Sequence, residues 1–170
     1  MPVHPFDMVI ENTSGSEARS FQVGSVSGAR YSARDIESTR RQLDAEIARD
    51  GHYTGATRSN PSIFRIGRYL LTQDDEFDVQ GPLTGCEAEV VAIREGSDVF
   101  ISVGSDQCDR ELDPLFPDKP KQMCPHPIAT TAWPYKEVRD HWDQLHIYSE
   151  VVVQGHKVPI QDTTIDTQVD

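Results

Sequence analysis

The sequence predicts a β-rich α+β domain, and three observations carry that expectation. Short β-branched and aromatic runs recur between Gly, Pro, Asn and Asp turns, which is the signature of strands joined by hairpins. Only two segments, residues 33–50 and 134–145, show helical periodicity. No internal repeat, heptad or low-complexity tract interrupts the 170 residues, so the chain reads as one domain with a polar tail at 161–170.

In chain order, Phe6-Asp7-Met8-Val9-Ile10 and Ser20-Phe21-Gln22-Val23 are predicted strands around the turn Asn12-Thr13-Ser14-Gly15-Ser16. Phe6, Met8 and Ile10 share the expected buried face. Gly24 to Gly28 reads as loop. A helix is expected from Ala33 to Asp50, with Ser32 as N-cap, Asp35 at the third position, a Tyr31–Ile36 staple and Gly51 just past its end. Ile36, Leu43 and Ile47 form its narrow apolar stripe, and its charges a solvated face.

A polar connection through His52 leads to Ile63-Phe64-Arg65-Ile66. Tyr69 to Thr72 reads as a short helix or a buried strand. After the hairpin described below, prolines at 114, 117 and 120 impose irregular chain. Pro134 opens the second expected helix, with Tyr135, Val138, Trp142 and Leu145 on one face packed as core. His146 to Val153 and Lys157 to Ile160 form a last hairpin around Gln154-Gly155. From Gln161 the chain is expected to fray or to stand ready to pair with a partner.

Acidic residues outnumber basic ones 28 to 16, giving a net charge of −12. This argues against nucleic acid or an anionic membrane as partner, and it suits a protein kept soluble at high salt. The N-terminus lacks a signal-peptide pattern and no run of apolar residues could span a bilayer, so a cytoplasmic location is expected. Cys86, Cys108 and Cys124 show no Cys-x-x-Cys spacing; reduced, packed thiols are expected, and a zinc site joining them to His126 matches no known spacing. Nucleotide-loop, zinc-protease and serine-hydrolase motifs are missing.

The chemistry concentrates between Gly85 and Pro125. Cys86 to Ile93 is a strand that points Glu87 and Glu89 to one face, and Val99 to Val103 returns after Glu95-Gly96-Ser97-Asp98. A two-residue type II′ turn at Gly96-Ser97 pairs 95 with 98, 91 with 102, 89 with 104 and 87 with 106. Glu87, Glu89 and Asp106 then share a face at cross-strand spacings of roughly 5 Å, and need a positive charge between them. Oxygen-only ligands favour Mg²⁺, Mn²⁺ or Ca²⁺ over Zn²⁺. The alternative is a solvent-facing acidic hairpin, and a three-residue loop would turn Asp106 to the other face.

Cys86-Glu87-Ala88-Glu89-Val90-Val91 resembles the Glu-x-Glu metal strand of the fumarylacetoacetate hydrolase superfamily. Asp106 through Arg110 resembles its Asp-x-x-x-Arg element, and Lys121-Gln122-Met123-Cys124-Pro125 its lysine segment. Pro61 to Arg65 is similar to the segment entering that family's catalytic sheet. More narrowly, residues 15–165 resemble a prokaryotic group of unknown function placed in that superfamily.

The resemblance implies a mixed β-roll with two helices. It further implies metal ligands Glu87, Glu89 and Asp106, Lys121 as catalytic group and Arg110 binding substrate carboxylate, although Arg110 could equally pair with Asp109 or Glu111. The implied function is a divalent-metal-dependent hydrolase or lyase, in a homo-oligomer, cleaving a C–C or C–O bond of a small 2-oxo acid through an enolate. Family hydrolases use a His with a carboxylate partner, but the surroundings of His52 do not match that pair. After Ile160 nothing resembles the family's further strands or its Gly-Thr-Pro-like turn. The expectation is therefore a C-terminally shortened member, active or completed by a partner, and its alternative a non-catalytic, metal-binding assembly module.

Overall fold

The computed structural model describes residues 5–50, 61–113 and 118–166. Strands β1 (Phe6–Asn12) and β2 (Gly15–Phe21) form the expected opening hairpin, tighter than predicted because only Thr13 and Ser14 make the turn. Phe6, Met8 and Ile10 alternate into the interior as the period-2 pattern requires.

The Ser- and Gly-rich stretch read as loop is instead strand β3 (Val26–Arg30), antiparallel to β4 (Ser62–Ile66). Gly28 lies opposite Phe64, whose ring stands 2.3 Å from where a Gly28 Cβ would be. The apolar cover comes from the partner strand, so the local sequence does not show it. Between them runs α1 (Ile36–Asp50), which begins three residues later than expected. Asp35 caps it in place of Ser32: its Oδ1 accepts the Glu37 N–H at 2.9 Å and its carbonyl the Thr39 N–H at 3.2 Å. Tyr31 sits at φ 57° and Ile36 is 54% exposed, so the expected staple does not form. Thr39 and Leu43 are the helix residues that reach the interior among those whose side chains are described. His52 lies outside the described residues.

Residues 69–72 combine the two readings in part, a 3₁₀ turn at Arg68–Leu70 followed by β5 (Leu71–Thr72), which is half-buried and not buried as expected. Then come β6 (Thr84–Gly85), β7 (Ala88–Glu95), β8 (Asp98–Ser105) and β9 (Cys108–Asp109). Lys119–Gln122 forms a 3₁₀ turn, followed by β10 (His126–Pro127) and β11 (Thr131–Pro134). The second helix is a correction. Pro134 ends a strand, and α2 (Tyr135–Val138) is a single turn that continues as 3₁₀ helix through Arg139–Gln144, broken by non-helical angles at His141. Tyr135 and Trp142 still meet edge-on, with ring centroids 5.8 Å apart, but neither is fully buried.

The last hairpin, β12 (His146–Val153) and β13 (His156–Thr164), runs past the expected end. In place of fraying, Ile165 is 1% exposed and donates its N–H to the Leu145 carbonyl at 3.1 Å, which anchors the segment.

The main sheet has the order β2-β1-β11-β8-β7, parallel between β1 and β11 and otherwise antiparallel. Met8, Ile10, Phe21, Phe100 and Ala132 form its core, with Ile93 and Ile128 packed against them. Two-stranded pairs β3-β4, β5-β10, β6-β9 and β12-β13 complete the fold. Among the described residues no helix is long and apolar enough to cross a membrane.

Candidate metal centre

The site grows from the β7–β8 hairpin. Gly96 takes φ 61° while Ser97 stays out of the positive region, the type II′ pattern. Glu95 pairs with Asp98, Val91 with Ser102 and Glu89 with Gly104, as the turn predicts. Just beyond the ladder the Asp106 N–H donates to the Glu87 carbonyl at 2.9 Å, so these two residues also lie opposite each other. Gly104 is obligatory here: a Cβ would stand 2.8 Å from the Pro127 carbonyl oxygen and 2.9 Å from a Val91 methyl. That close approach brings the chain around β10 against β8.

Carboxylate oxygens of Glu87, Glu89 and Asp106 all lie within 4.8 Å of one another. Lys121, 2% exposed, reaches the cluster from the 3₁₀ turn Lys119–Gln122, whose Pro120 is also buried. Its ammonium meets Glu87 Oε2 at 2.6 Å, Asp106 Oδ2 at 2.7 Å and the Asp106 carbonyl at 2.9 Å. An ammonium has three donors, so all are engaged. Arg110 settles on Glu87, Nη2 to Oε1 at 2.6 Å, and not on its sequence neighbours. Asp109 instead accepts the backbone N–H groups of Glu111 and Leu112 at 2.9 and 3.2 Å. The Arg110 guanidinium lies across Gly85, where a Cβ would fall 2.4 Å from its Nε.

His126 was legible only as a doubtful zinc ligand, yet it belongs to this cluster. It is 4% exposed, with Nε2 2.6 Å from the Lys121 carbonyl and Nδ1 3.3 Å from Asp106 Oδ1. Its position depends on the bend at Met123 and Cys124 that follows the lysine turn, which no sequence spacing reports. The three cysteines are free thiols, Cys108 and Cys124 buried, and they join no metal-capable group among the described residues. Burial pushes Cys108 up to about 12 and raises Cys124 as well, which keeps both as inert thiols.

Glu87 and Glu89 open on a cleft of about 460 Å³ that Cys86, Ala88, Arg110, Ile160 and Gln161 also line. Ile160 and Gln161 come from β13, so the first residue of the segment expected to fray lines the cleft beside the end of the expected strand. Burial first, then the charges of Asp106 and Glu87, raise Glu89 to about 7 against the opposing pull of Lys121 and Arg30. Burial alone would lower Lys121, but Asp106 and Glu87 outweigh it and hold its proton more tightly than usual.

The donor set fits a hard divalent cation. Three carboxylates converge, the Asp106 Oδ1 is buried without a hydrogen bond, and the two cations engage Glu87 and Asp106 while Glu89 makes no ion pair among the described residues. No curated protein and no solved structure matches the chain. A family model described as "Protein of unknown function (DUF2848)" matches residues 29–169, a span that holds every residue of this cluster, and the chain therefore belongs to that family.

Proposed function

We propose that this protein is a divalent-metal-dependent hydrolase or lyase that cleaves a C–C or C–O bond of a small 2-oxo acid, on a fold of the fumarylacetoacetate hydrolase type. The observation that carries the reading is the buried Lys121 ammonium against a group of three carboxylates, two of which, Glu87 and Glu89, line a cleft with Arg110. Glu87, Glu89 and Asp106 would hold Mg²⁺, Mn²⁺ or Ca²⁺. When bound, the cation supplies Lewis-acid polarisation of the substrate's carboxylate and ketone oxygens.

The remaining work falls to the chain. Arg110 is 43% exposed at the cleft, and its guanidinium has donors beyond the one that meets Glu87, so it orients a substrate carboxylate. Lys121 stays protonated and fixed, and its charge stabilises negative charge that develops on the substrate oxygens. Its donors are full while Glu87 and Asp106 both face it, so it acts first as a positioned charge. Ile160 and Gln161 line one side of the cleft.

A second reading, a non-catalytic metal-binding module that assembles through sheet edges, is favoured by the last hairpin. There Tyr148, Val152, Val153 and Ile160 stay 47–67% exposed on a two-stranded ribbon.

Calorimetric titration with Mg²⁺ and Mn²⁺ at matched ionic strength, on wild type and on Glu87→Ala/Glu89→Ala, tests the metal reading. Binding lost in the double variant, followed by turnover in a screen of 2-oxo acids, is the expected result. Turnover that survives both substitutions would overturn the mechanism. A folded wild type that binds neither ion would leave the assembly module as the better account.

A further inference from the structure

We infer that Ser105 is a positioning residue for Lys121: its hydroxyl takes the Glu87 N–H in place of the Asp106 carbonyl, and so releases that carbonyl to hold the lysine. The inference rests on the metal reading for its consequence in catalysis and on main-chain geometry for its form.

In an antiparallel ladder, directly opposed residues at every second position exchange two N–H···O=C bonds. Glu87 and Asp106 make one of the two, from the Asp106 N–H to the Glu87 carbonyl at 2.9 Å. The return bond is replaced. The Glu87 N–H donates to Ser105 Oγ at 3.0 Å, and the Asp106 carbonyl accepts from Lys121 Nζ at 2.9 Å. A ladder carbonyl ordinarily serves the neighbouring strand, whereas this one serves a side chain from the turn Lys119–Gln122. Lys121 thereby holds Asp106 twice, through the main chain and through Oδ2 at 2.7 Å.

Ser105 is well placed for the substitution. It pairs with Ala88, the first residue of β7, and so stands beside the Glu87 N–H that comes just before the ladder. Its own hydrogen goes to Gln107 Oε1 at 3.2 Å, on a side chain that is 8% exposed, which leaves the oxygen's lone pairs for the N–H. Without the hydroxyl the Glu87 N–H needs another acceptor, and the one that the ladder offers is the Asp106 carbonyl. That carbonyl would turn back toward β7 and away from Lys121. The ammonium would then rest on the Glu87 and Asp106 carboxylates alone, which a bound cation also draws upon. In Ser105-Asp106-Gln107, the residues on either side of the ligand thus arrange its main chain.

Ser105→Thr and Ser105→Val share one shape and differ by the hydroxyl, so a packing loss is common to both. They are compared with Ser105→Ala and wild type by mass-spectrometric footprinting with an acetylating reagent, with the exposed Lys157 as internal reference, by Mn²⁺ calorimetry and by thermal melts. Ser105→Val and Ser105→Ala are expected to label Lys121 several-fold faster than wild type in metal-free protein, and to lose roughly ten-fold in Mn²⁺ affinity. Ser105→Thr is expected to stay near wild type in both.

Wild-type protection of Lys121 in Ser105→Val and Ser105→Ala would overturn the inference. So would equal changes in Ser105→Thr and Ser105→Val, since these mark shape and not the hydroxyl. If wild type binds no Mn²⁺, the metal reading fails by itself, and the labelling of metal-free protein still decides whether Ser105 seats the lysine.

Discussion

Burial beside two other carboxylates gives Glu89 a measurable pH signature. Its carboxyl is held up to about 7 against an ordinary 4.5, so between those values the folded chain keeps a proton that the unfolded chain has released. Stability therefore falls as pH rises through this window, with no penalty below about 4.5 and the full penalty, at most about 3 kcal/mol, above about 7. Glu89→Gln should match wild type near pH 4.5 and exceed it above pH 7 in urea unfolding. In the same window a divalent cation must displace the Glu89 proton, so its affinity should climb with pH and level off above about 7, measured by calorimetry in two buffers of different ionisation enthalpy.

Gly85 gives a second prediction at this scale. A methyl there would displace the Arg110 guanidinium while leaving backbone space intact, so Gly85→Ala should keep the fold within about 1 kcal/mol. Pyruvate or oxalate binding, measured calorimetrically with metal present, should weaken roughly ten-fold as the charge-assisted contact is lost. Unchanged affinity would remove Arg110 from carboxylate recognition.

Among the elements, those decided by adjacent residues were readable and those decided by distant ones were not. Gly96-Ser97 specifies its turn locally, and the turn specifies which residues of β7 and β8 face each other, so Glu87, Glu89 and Asp106 could be placed on one face from sequence. Lys121 was legible only through the lysine motif that the family resemblance supplied. His126 was not placed, because its partners are a backbone carbonyl and an oxygen across a turn. Strand β3 hides its apolar cover on Phe64, and Pro134, which does stand at the start of α2, also ends strand β11, which its sequence position did not show.

The last hairpin offers a test of an element by itself. Gln154 adopts φ 51° and Gly155 φ 82°, a type I′ pattern that costs a non-glycine residue at the first position. Gln154→Asn should raise stability by about 0.5–1 kcal/mol, read as a higher melting temperature by calorimetry. No change would mean that β12–β13 unfolds apart from the rest.

For the whole molecule, the central sheet is held together by residues from opposite ends of the sequence. Met8, Ile10 and Phe21 lie before residue 29, where the family match begins, yet they supply three of the five residues of the sheet's buried cluster. Each such side chain contributes roughly 1.5–3 kcal/mol when buried, and together they rival the total stability of a domain. Deleting residues 1–28 should abolish cooperative unfolding by circular dichroism. A sharp transition in the shortened chain would show that residues 29–170 can build a core without the first hairpin.

The parallel union of β1 with β11 also sets an order of events during biosynthesis. Val9 meets Thr131, so the first hairpin leaves the ribosome with one edge unpaired and keeps it so until the chain has been extended past residue 131. Lys121 and His126 emerge just ahead of that strand. The cluster of carboxylates and lysine and the sheet that supports it are thus completed by the same short stretch of translation, and a nascent chain halted before it would carry three carboxylates with no lysine to hold them.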